Sequence, residues 1–267
     1  MKIYFYNKVG NLGNCIFSLT NIIYLCKKED AKFTTDLSKF WTKIPYIEIE
    51  KCPFFVREFN DRDTIIKSNF FRYDGAEMSK EERFDIIKQY IKPYTKFCVK
   101  KIPETTCVIN IRSGDIFNPG GTHKGYVQPP FAFYKKIIDE EKQYENFLII
   151  TQPDLRNPTI SLTAKYSEKV ELQTPDVAGA MSVILGASSI VSYYGTFLQV
   201  LFFSDCIKKI YCLDYTDFFS FYGTCQNAEI IRYKFLEPYI SVGEWTNSQE
   251  QLSMMVNYPV EKIQKIN

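Results

Sequence analysis

Between Cys107 and Leu213 the chain alternates short apolar runs with segments of helical spacing, and this rhythm narrows the architecture more than any other feature. Strand-like runs fall at Cys107–Ile111, Phe147–Thr151, Val170–Leu172, Ser189–Ser192 and Lys209–Leu213. Between them lie four helical stretches. One starts after Pro129 and Pro130 and buries Phe133, Ile137 and Ile138; the others are Thr159–Tyr166, a segment capped by Asp176 and running to Gly186, and Phe197–Ser204. Apolar strands separated by helices predict an α/β fold with a parallel sheet and crossover helices.

The first of these runs reads Cys-Val-Ile-Asn-Ile-Arg-Ser-Gly-Asp over residues 107–115. Its β-branched character suits a strand covered on both faces. Ligands in open α/β sheets bind beyond the carboxyl ends of strands, so Arg112 is placed to grip a phosphate bidentately. Read from these residues alone, a surface arginine paired with Asp115 fits equally well. The loop that follows, 116–130, is rich in Gly and Pro and carries His123 and Tyr126, and such loops hold functional groups disproportionately.

The earlier chain opens with a strand over Lys2–Tyr6, a loop of glycines and asparagines to Asn14, and a helix with Cys15, Ile16, Leu19, Ile22, Ile23 and Cys26 on its buried side. Strand, glycine loop and helix make a Rossmann-like opening, without the spacing of a dinucleotide fingerprint. A short strand is expected at Tyr46–Ile49. Asp61-Arg-Asp63 has the form of a metal-holding carboxylate pair but follows no hydrophobic strand, and is read as solvated loop charge. Ser79-Lys-Glu-Glu82 has capping-box spacing ahead of a helix that Pro93 ends. The polar stretch Lys96–Glu104 divides an N-terminal half, 1–100, from a C-terminal half, 101–267. The tail offers a strand at Ile230–Tyr233 and a helix at Ser248–Val256, which is expected to pack back on the N-terminal half.

Composition removes several function classes. A formal charge of +2 supplies no basic field for nucleic acid. The eight cysteines have no CxxC spacing and read as reduced, buried thiols, and a single histidine excludes a multi-histidine metal centre. With no signal-peptide pattern and no apolar run long enough to span a bilayer, a cytoplasmic location is expected.

Three segments in order along residues 3–213 resemble the fucosyltransferase superfamily, especially its α-1,2- and O-fucosyltransferase branches. Gly10-Asn11-Leu-Gly13-Asn14 resembles the family's GGLGN loop, Asn110-Ile-Arg112-Ser-Gly114-Asp115 its HxRxGD motif, and Ser192-Tyr-Tyr194-Gly195-Thr196-Phe197 its Ser-Thr-Phe segment at a helix start. Asp176 falls where the family carries an acidic residue facing the nucleoside. Asn110 stands in place of the motif's histidine and Ser113 in place of a second arginine.

The resemblance implies a GT-B fold, two Rossmann-like halves whose parallel sheets face across a cleft, with the acceptor on the N-terminal side and the nucleotide sugar on the C-terminal side. It implies metal-independent, inverting transfer of a sugar, L-fucose from GDP-fucose by best match, to a glycan hydroxyl. No cofactor is needed beyond the nucleoside-diphosphate sugar itself. Arg112 would hold the diphosphate, with Gly114, Asp176, Tyr194, Gly195, Thr196 and Phe197 completing the donor site. Asp115 would act as general base or orient Arg112. Gly10, Asn11, Gly13, Asn14, Asn110, His123 and Tyr126 would line the substrate. A rhamnosyl or xylosyl nucleotide donor, or a non-catalytic carbohydrate-binding relative, are the alternatives.

Overall fold

The computed structural model describes residues 2–5, 12–37, 39–40, 45–58, 65–68, 70, 78–118, 124–192, 198–214 and 228–266. In chain order the described elements are β1 (Lys2–Phe5), α1 (Leu12–Lys28), β2 (Lys32–Thr35), β3 (Ile65–Ser68), α2 (Lys80–Ile86), β4 (Thr106–Asn110), α3 (Phe131–Glu140), β5 (Asn146–Ile150), α4 (Pro158–Lys165), β6 (Val170–Gln173), α5 (Val177–Gly186), β7 (Ser189–Val191), α6 (Leu198–Leu201), β8 (Lys209–Leu213), β9 (Glu229–Phe235), α7 (Gln249–Asn257) and β10 (Ile263–Ile266). They form two units. The first comprises 1–97, 195–204 and 220–226, the second 98–194, 205–219 and 227–267, so two later segments of chain return to the first unit.

In the first unit β1 is central in a parallel sheet of order β2-β1-β3. Ile3 and Phe5 are buried on the same face of the strand, and α1 buries nearly its whole length, Leu19, Ile22 and Ile23 included. The capping box forms: Ser79 Oγ accepts the Glu82 N–H and the Glu82 carboxylate accepts the Ser79 N–H. From Ile87 the helix widens into a π turn, and a 3₁₀ turn containing Pro93 ends it. The expected strand at Tyr46–Ile49 is instead a single bridge, Ile47 opposite Thr95, made by the Glu48 N–H to Tyr94 O and Lys96 N–H to Tyr46 O bonds, because the chain turns into a 3₁₀ turn at Ile49–Lys51 before the ladder can extend. Asp61-Arg-Asp63 lies outside the described residues.

The second unit holds a seven-stranded sheet of order β10-β9-β8-β7-β4-β5-β6, parallel throughout except for β10, which pairs antiparallel with β9 at the edge. The chain runs outward from β4 through β5 to β6, crosses back to β7, and runs outward the other way. The order therefore reverses between β4 and β7. Crevices at such switch points, beyond the carboxyl ends of the strands, are where open α/β sheets bind ligands.

Alternate residues decide which face is which. Cys107, Ile109 and Ile111 pack with Phe147, Ile149, Val191, Tyr211 and the inner faces of α3 and α4, whereas Val108 and Asn110 point to the other side of the sheet. The helix expected at Phe197–Ser204 is confined to Leu198–Leu201 among the described residues. α7 packs against α3 and α4 of its own unit, with Ser248 capping its first turn.

Candidate functional site

β4 runs out at Asn110, yet its hydrogen bonding to β5 continues for one residue, with the Ile111 N–H donating to Ile150 O at 3.1 Å. Arg112 is thus the first residue beyond the ladder, at the switch point. Its guanidinium is held from two directions: an Nη donates to the Asp115 carboxylate at 3.3 and 3.5 Å, and the group lies over the Tyr126 ring, 4.4 Å from its centroid. Only 20% of the Arg112 side chain is exposed, against 54% of Asp115. A planar cation stacked on a ring and steered by a carboxylate is suited to bidentate recognition of phosphate.

The backbone beneath Arg112 is latched to the loop after β5. The fully buried Asn157 donates from its backbone N–H to Ser113 Oγ at 3.0 Å and from Nδ2 to Arg112 O at 2.9 Å. Its Oδ1 also accepts the N–H and hydroxyl of Thr159, capping α4 ahead of Pro158. Ser113 is fully buried too, so the position at which the resemblance places a second arginine here serves the latch.

Gly114 has φ +77, and a Cβ there would stand 2.8 Å from Gln152 Oε1. The left-handed turn calls for glycine here, whereas the amide end of the exposed Gln152 side chain could swing aside. A 3₁₀ turn over Gly114–Phe117 then presents Asp115.

Tyr126 is positioned from the far end of the chain. Trp245, fully buried, donates from Nε1 to Ile116 O at 3.2 Å, and its backbone N–H reaches Lys124 O at 3.1 Å. Tyr239 donates its hydroxyl to Gln128 O at 2.9 Å. Ile116, Phe117, Val127, Ile240, Trp245 and Met255 form one apolar cluster, against which Tyr126 packs.

Asn110 is 9% exposed, and its Nδ2 has no hydrogen-bond partner among the described residues. Thr151 Oγ1, one residue beyond β5, is buried in the same condition. Unsatisfied buried donors at strand ends are the kind of group a ligand completes. The register puts Ser192, the first residue after β7, beside Asn110.

Asp176 is the N-cap of α5, its Oδ1 accepting the Gly179 N–H at 2.8 Å. Gly13 and Asn14 belong to the first unit, and both lie inside the first turn of α1 rather than in a loop, because the helix begins at Leu12. Gly10, Asn11, His123, Tyr194, Gly195, Thr196 and Phe197 lie outside the described residues.

The structure also brings in Arg156, which belongs to no motif in the sequence. Its Nε donates to Asp154 at 2.7 Å, one Nη bonds the same carboxylate, and the other bonds Asn118 Oδ1. The hydrogen bond to Asp154 is the main cause holding Arg156 above its usual pKa, and the charge of Asp115 adds to it. The same bond holds Asp154 below the ordinary carboxylate range. The Asn157-Pro158 pair, a helix-start signature, was the one sequence signal pointing to this loop. Among the described residues no group of three His, Cys, Asp or Glu side chains could hold a metal ion, and no helix is long and apolar enough to cross a membrane.

No protein-family model matches the chain, and no curated protein matches it in sequence. Among solved structures it is similar to the E. coli heptosyltransferase WaaC with ADP, with TM-score 0.51 and 11% identity over 92% of this chain and 97% of that one. Further similarities are to a family 9 glycosyl transferase from Veillonella parvula DSM 2008 (TM-score 0.46, 11% identity, 87% of this chain and 85% of that one) and to POFUT1 in complex with GDP-fucose (0.38, 10%, 75% and 92%). At these identities the likeness is one of fold. The chain has an α/β fold of the GT-B type, built on a mostly parallel seven-stranded sheet.

Proposed function

We propose that the chain is a glycosyltransferase, moving a sugar from a nucleoside-diphosphate donor to a hydroxyl of a glycan acceptor. The observation that carries this reading is Arg112, set at the switch point of a doubly wound parallel sheet and fixed there by Asp115, Tyr126 and the Asn157 latch. The fold it shares with a heptosyltransferase whose structure holds ADP supports a nucleotide-dependent transferase. The motif resemblance favours L-fucose from GDP-fucose, ahead of rhamnosyl or xylosyl nucleotides.

In this reading the acceptor oxygen attacks the anomeric carbon from the face opposite the diphosphate. As the carbon–oxygen bond to the diphosphate breaks, the electron pair leaves with the phosphate and the acceptor proton passes to a base. Arg112 meets the charge that grows on the leaving group, the step at which a preorganised cation lowers the barrier most. The Asp115–Arg112 contact supports an orienting role for Asp115, and a general-base role is separable from it by kinetics. Asp115→Asn should lower kcat while donor affinity stays within a few-fold if Asp115 is the base, and should weaken donor binding if it orients Arg112. Asn110 is read as a hydrogen-bond donor to the substrate. Asp176 is assigned to the nucleoside, Tyr194, Gly195, Thr196 and Phe197 to the nucleotide, with Thr196 and the Phe197 N–H assisting Arg112 on the diphosphate, the Gly10–Asn14 segment to the acceptor, and His123 to the substrate loop.

A thermal-shift and saturation-transfer NMR screen with GDP-fucose, other GDP- and UDP-sugars and ADP-heptose tests the reading. Stabilisation by one donor, followed by nucleotide release with turnover unchanged in excess EDTA, is the expected result. Failure of every donor to bind would favour the non-catalytic relative. Strict dependence on manganese would shift attention to Asp61 and Asp63.

A further inference from the structure

We propose that Arg156 is a second anion-binding residue, closing with Arg112 on the two phosphates of the donor; the proposal rests on the nucleotide-sugar reading above. The two arginines stand on adjacent strand-end loops, the one after β4 and the one after β5. Those loops are joined by the buried Asn157, which neighbours Arg156 in sequence and bonds both Arg112 O and Ser113 Oγ. The spacing of the two guanidinium-bearing segments is therefore set by two hydrogen bonds, each joining a backbone group to a short, fully buried side chain, the preorganisation an anion site requires.

Arg156 is itself held in plane by Asp154 and Asn118, which take three of its N–H groups. A guanidinium has five, so two remain to be offered outward. Asp115 is the common neighbour: it bonds Arg112, and its charge raises the pKa of Arg156.

The four charged groups formally balance, and the two carboxylates hold their arginines unequally. Asp154 holds Arg156 through Nε at 2.7 Å, whereas the Asp115 contacts to Arg112 are 3.3 and 3.5 Å and its side chain is 54% exposed. Asp154 thus orients Arg156, and Asp115 steers Arg112 through longer contacts while its own side chain stays open to solvent. A diphosphate carries at least two negative charges, which a single guanidinium leaves unbalanced.

Isothermal titration of the full chain with GDP, ADP, UDP and inorganic pyrophosphate tests this, using wild type, Arg112→Ala, Arg156→Ala and Arg156→Lys. Loss of a charge-assisted contact should weaken the preferred nucleoside diphosphate, and pyrophosphate, by about 10- to 100-fold in Arg156→Ala. Arg156→Lys should recover part of this, since it restores the charge but not the fork. The Arg156 side chain is 44% exposed, so the melting temperature should move little, and Arg156→Lys keeps the test valid if the alanine variant is less stable. Wild-type affinity in both Arg156 variants, with binding lost in Arg112→Ala, overturns the proposal and leaves the nucleotide-sugar reading standing. If wild type binds none of the nucleotides, the nucleotide-sugar reading itself falls, and the clamp with it.

Discussion

Replacing Asn157 by alanine removes the residue that ties the two strand-end loops together, and its cost follows from the bonds it makes. The side chain caps α4 by accepting the Thr159 N–H, and loss of an N-cap costs about 1 kcal/mol. It also donates to Arg112 O in a part-buried bond, and a carbonyl shielded from water and left without its donor costs about 1–3 kcal/mol. Together these predict a loss of about 2–4 kcal/mol, or a fall in Tm of roughly 4–16 °C for a domain of this size. Urea unfolding followed by the fluorescence of the buried Trp245, in a Trp41→Phe background, reads the second unit directly. Asn157→Ser retains a good capping oxygen and should regain about 1 kcal/mol, leaving the latch as the remainder. A loss below about 0.5 kcal/mol in the alanine variant, within the range of ordinary surface substitutions, would refute the latch, as would full stability in the serine variant.

Gly186→Ala should destabilise the second unit by about 2–4 kcal/mol, because the new Cβ would stand 1.8 Å from Lys100 O and would force apart the Ile102 N–H to Gly186 O and Lys100 N–H to Ser182 O bonds; urea midpoints measure it. Ser113→Arg should also destabilise the unit and gain no affinity for pyrophosphate, since the side chain it replaces is fully buried and accepts the Asn157 N–H; calorimetric titration and melting curves check both halves. Burial pushes Glu141 upward, but hydrogen bonds from Lys265, Gln143 and Tyr211 outweigh it and leave its pKa below the ordinary 4.5. A carboxylate depressed in the folded state contributes stability that is present above its unfolded pKa and is lost as pH falls through the folded value. Stability measured from pH 6 down to pH 3 should therefore fall less steeply in Glu141→Gln than in wild type.

The parts of this fold visible in the sequence are those whose strands are buried on both faces. β4, β5 and β8 show as apolar runs, and Ser79 and Asp176 cap the expected helices with the expected bonds. β2, with the sequence Lys-Phe-Thr-Thr, and β10, with Ile-Gln-Lys-Ile, carry too little apolar character to stand out, and only pairing with β1 and β9 makes them strands. The end of β4 came close to the sequence reading, which placed Arg112 at the strand terminus; the ladder stops at Ile111. Arg112 and Asp115 were legible because they are three residues apart in one motif. Arg156 and Asn157 were not, since Asn157 reaches Ser113 and Arg112 from 44 and 45 residues away and Arg156 reaches Asn118 from 38, a proximity that only the pairing of β4 with β5 creates. Tyr126 was legible as a loop residue, but the Trp245 segment that supports it lies more than a hundred positions further on.

If Arg112 carries the donor diphosphate, its removal must slow cleavage of the donor. Hydrolysis of the donor selected by the screen, followed by NMR in wild type and Arg112→Ala, measures it without knowledge of the acceptor. The expected result is a fall in kcat/KM of about 100-fold or more, with near-wild-type melting and retained near-UV circular dichroism. Near-wild-type turnover in Arg112→Ala would contradict it.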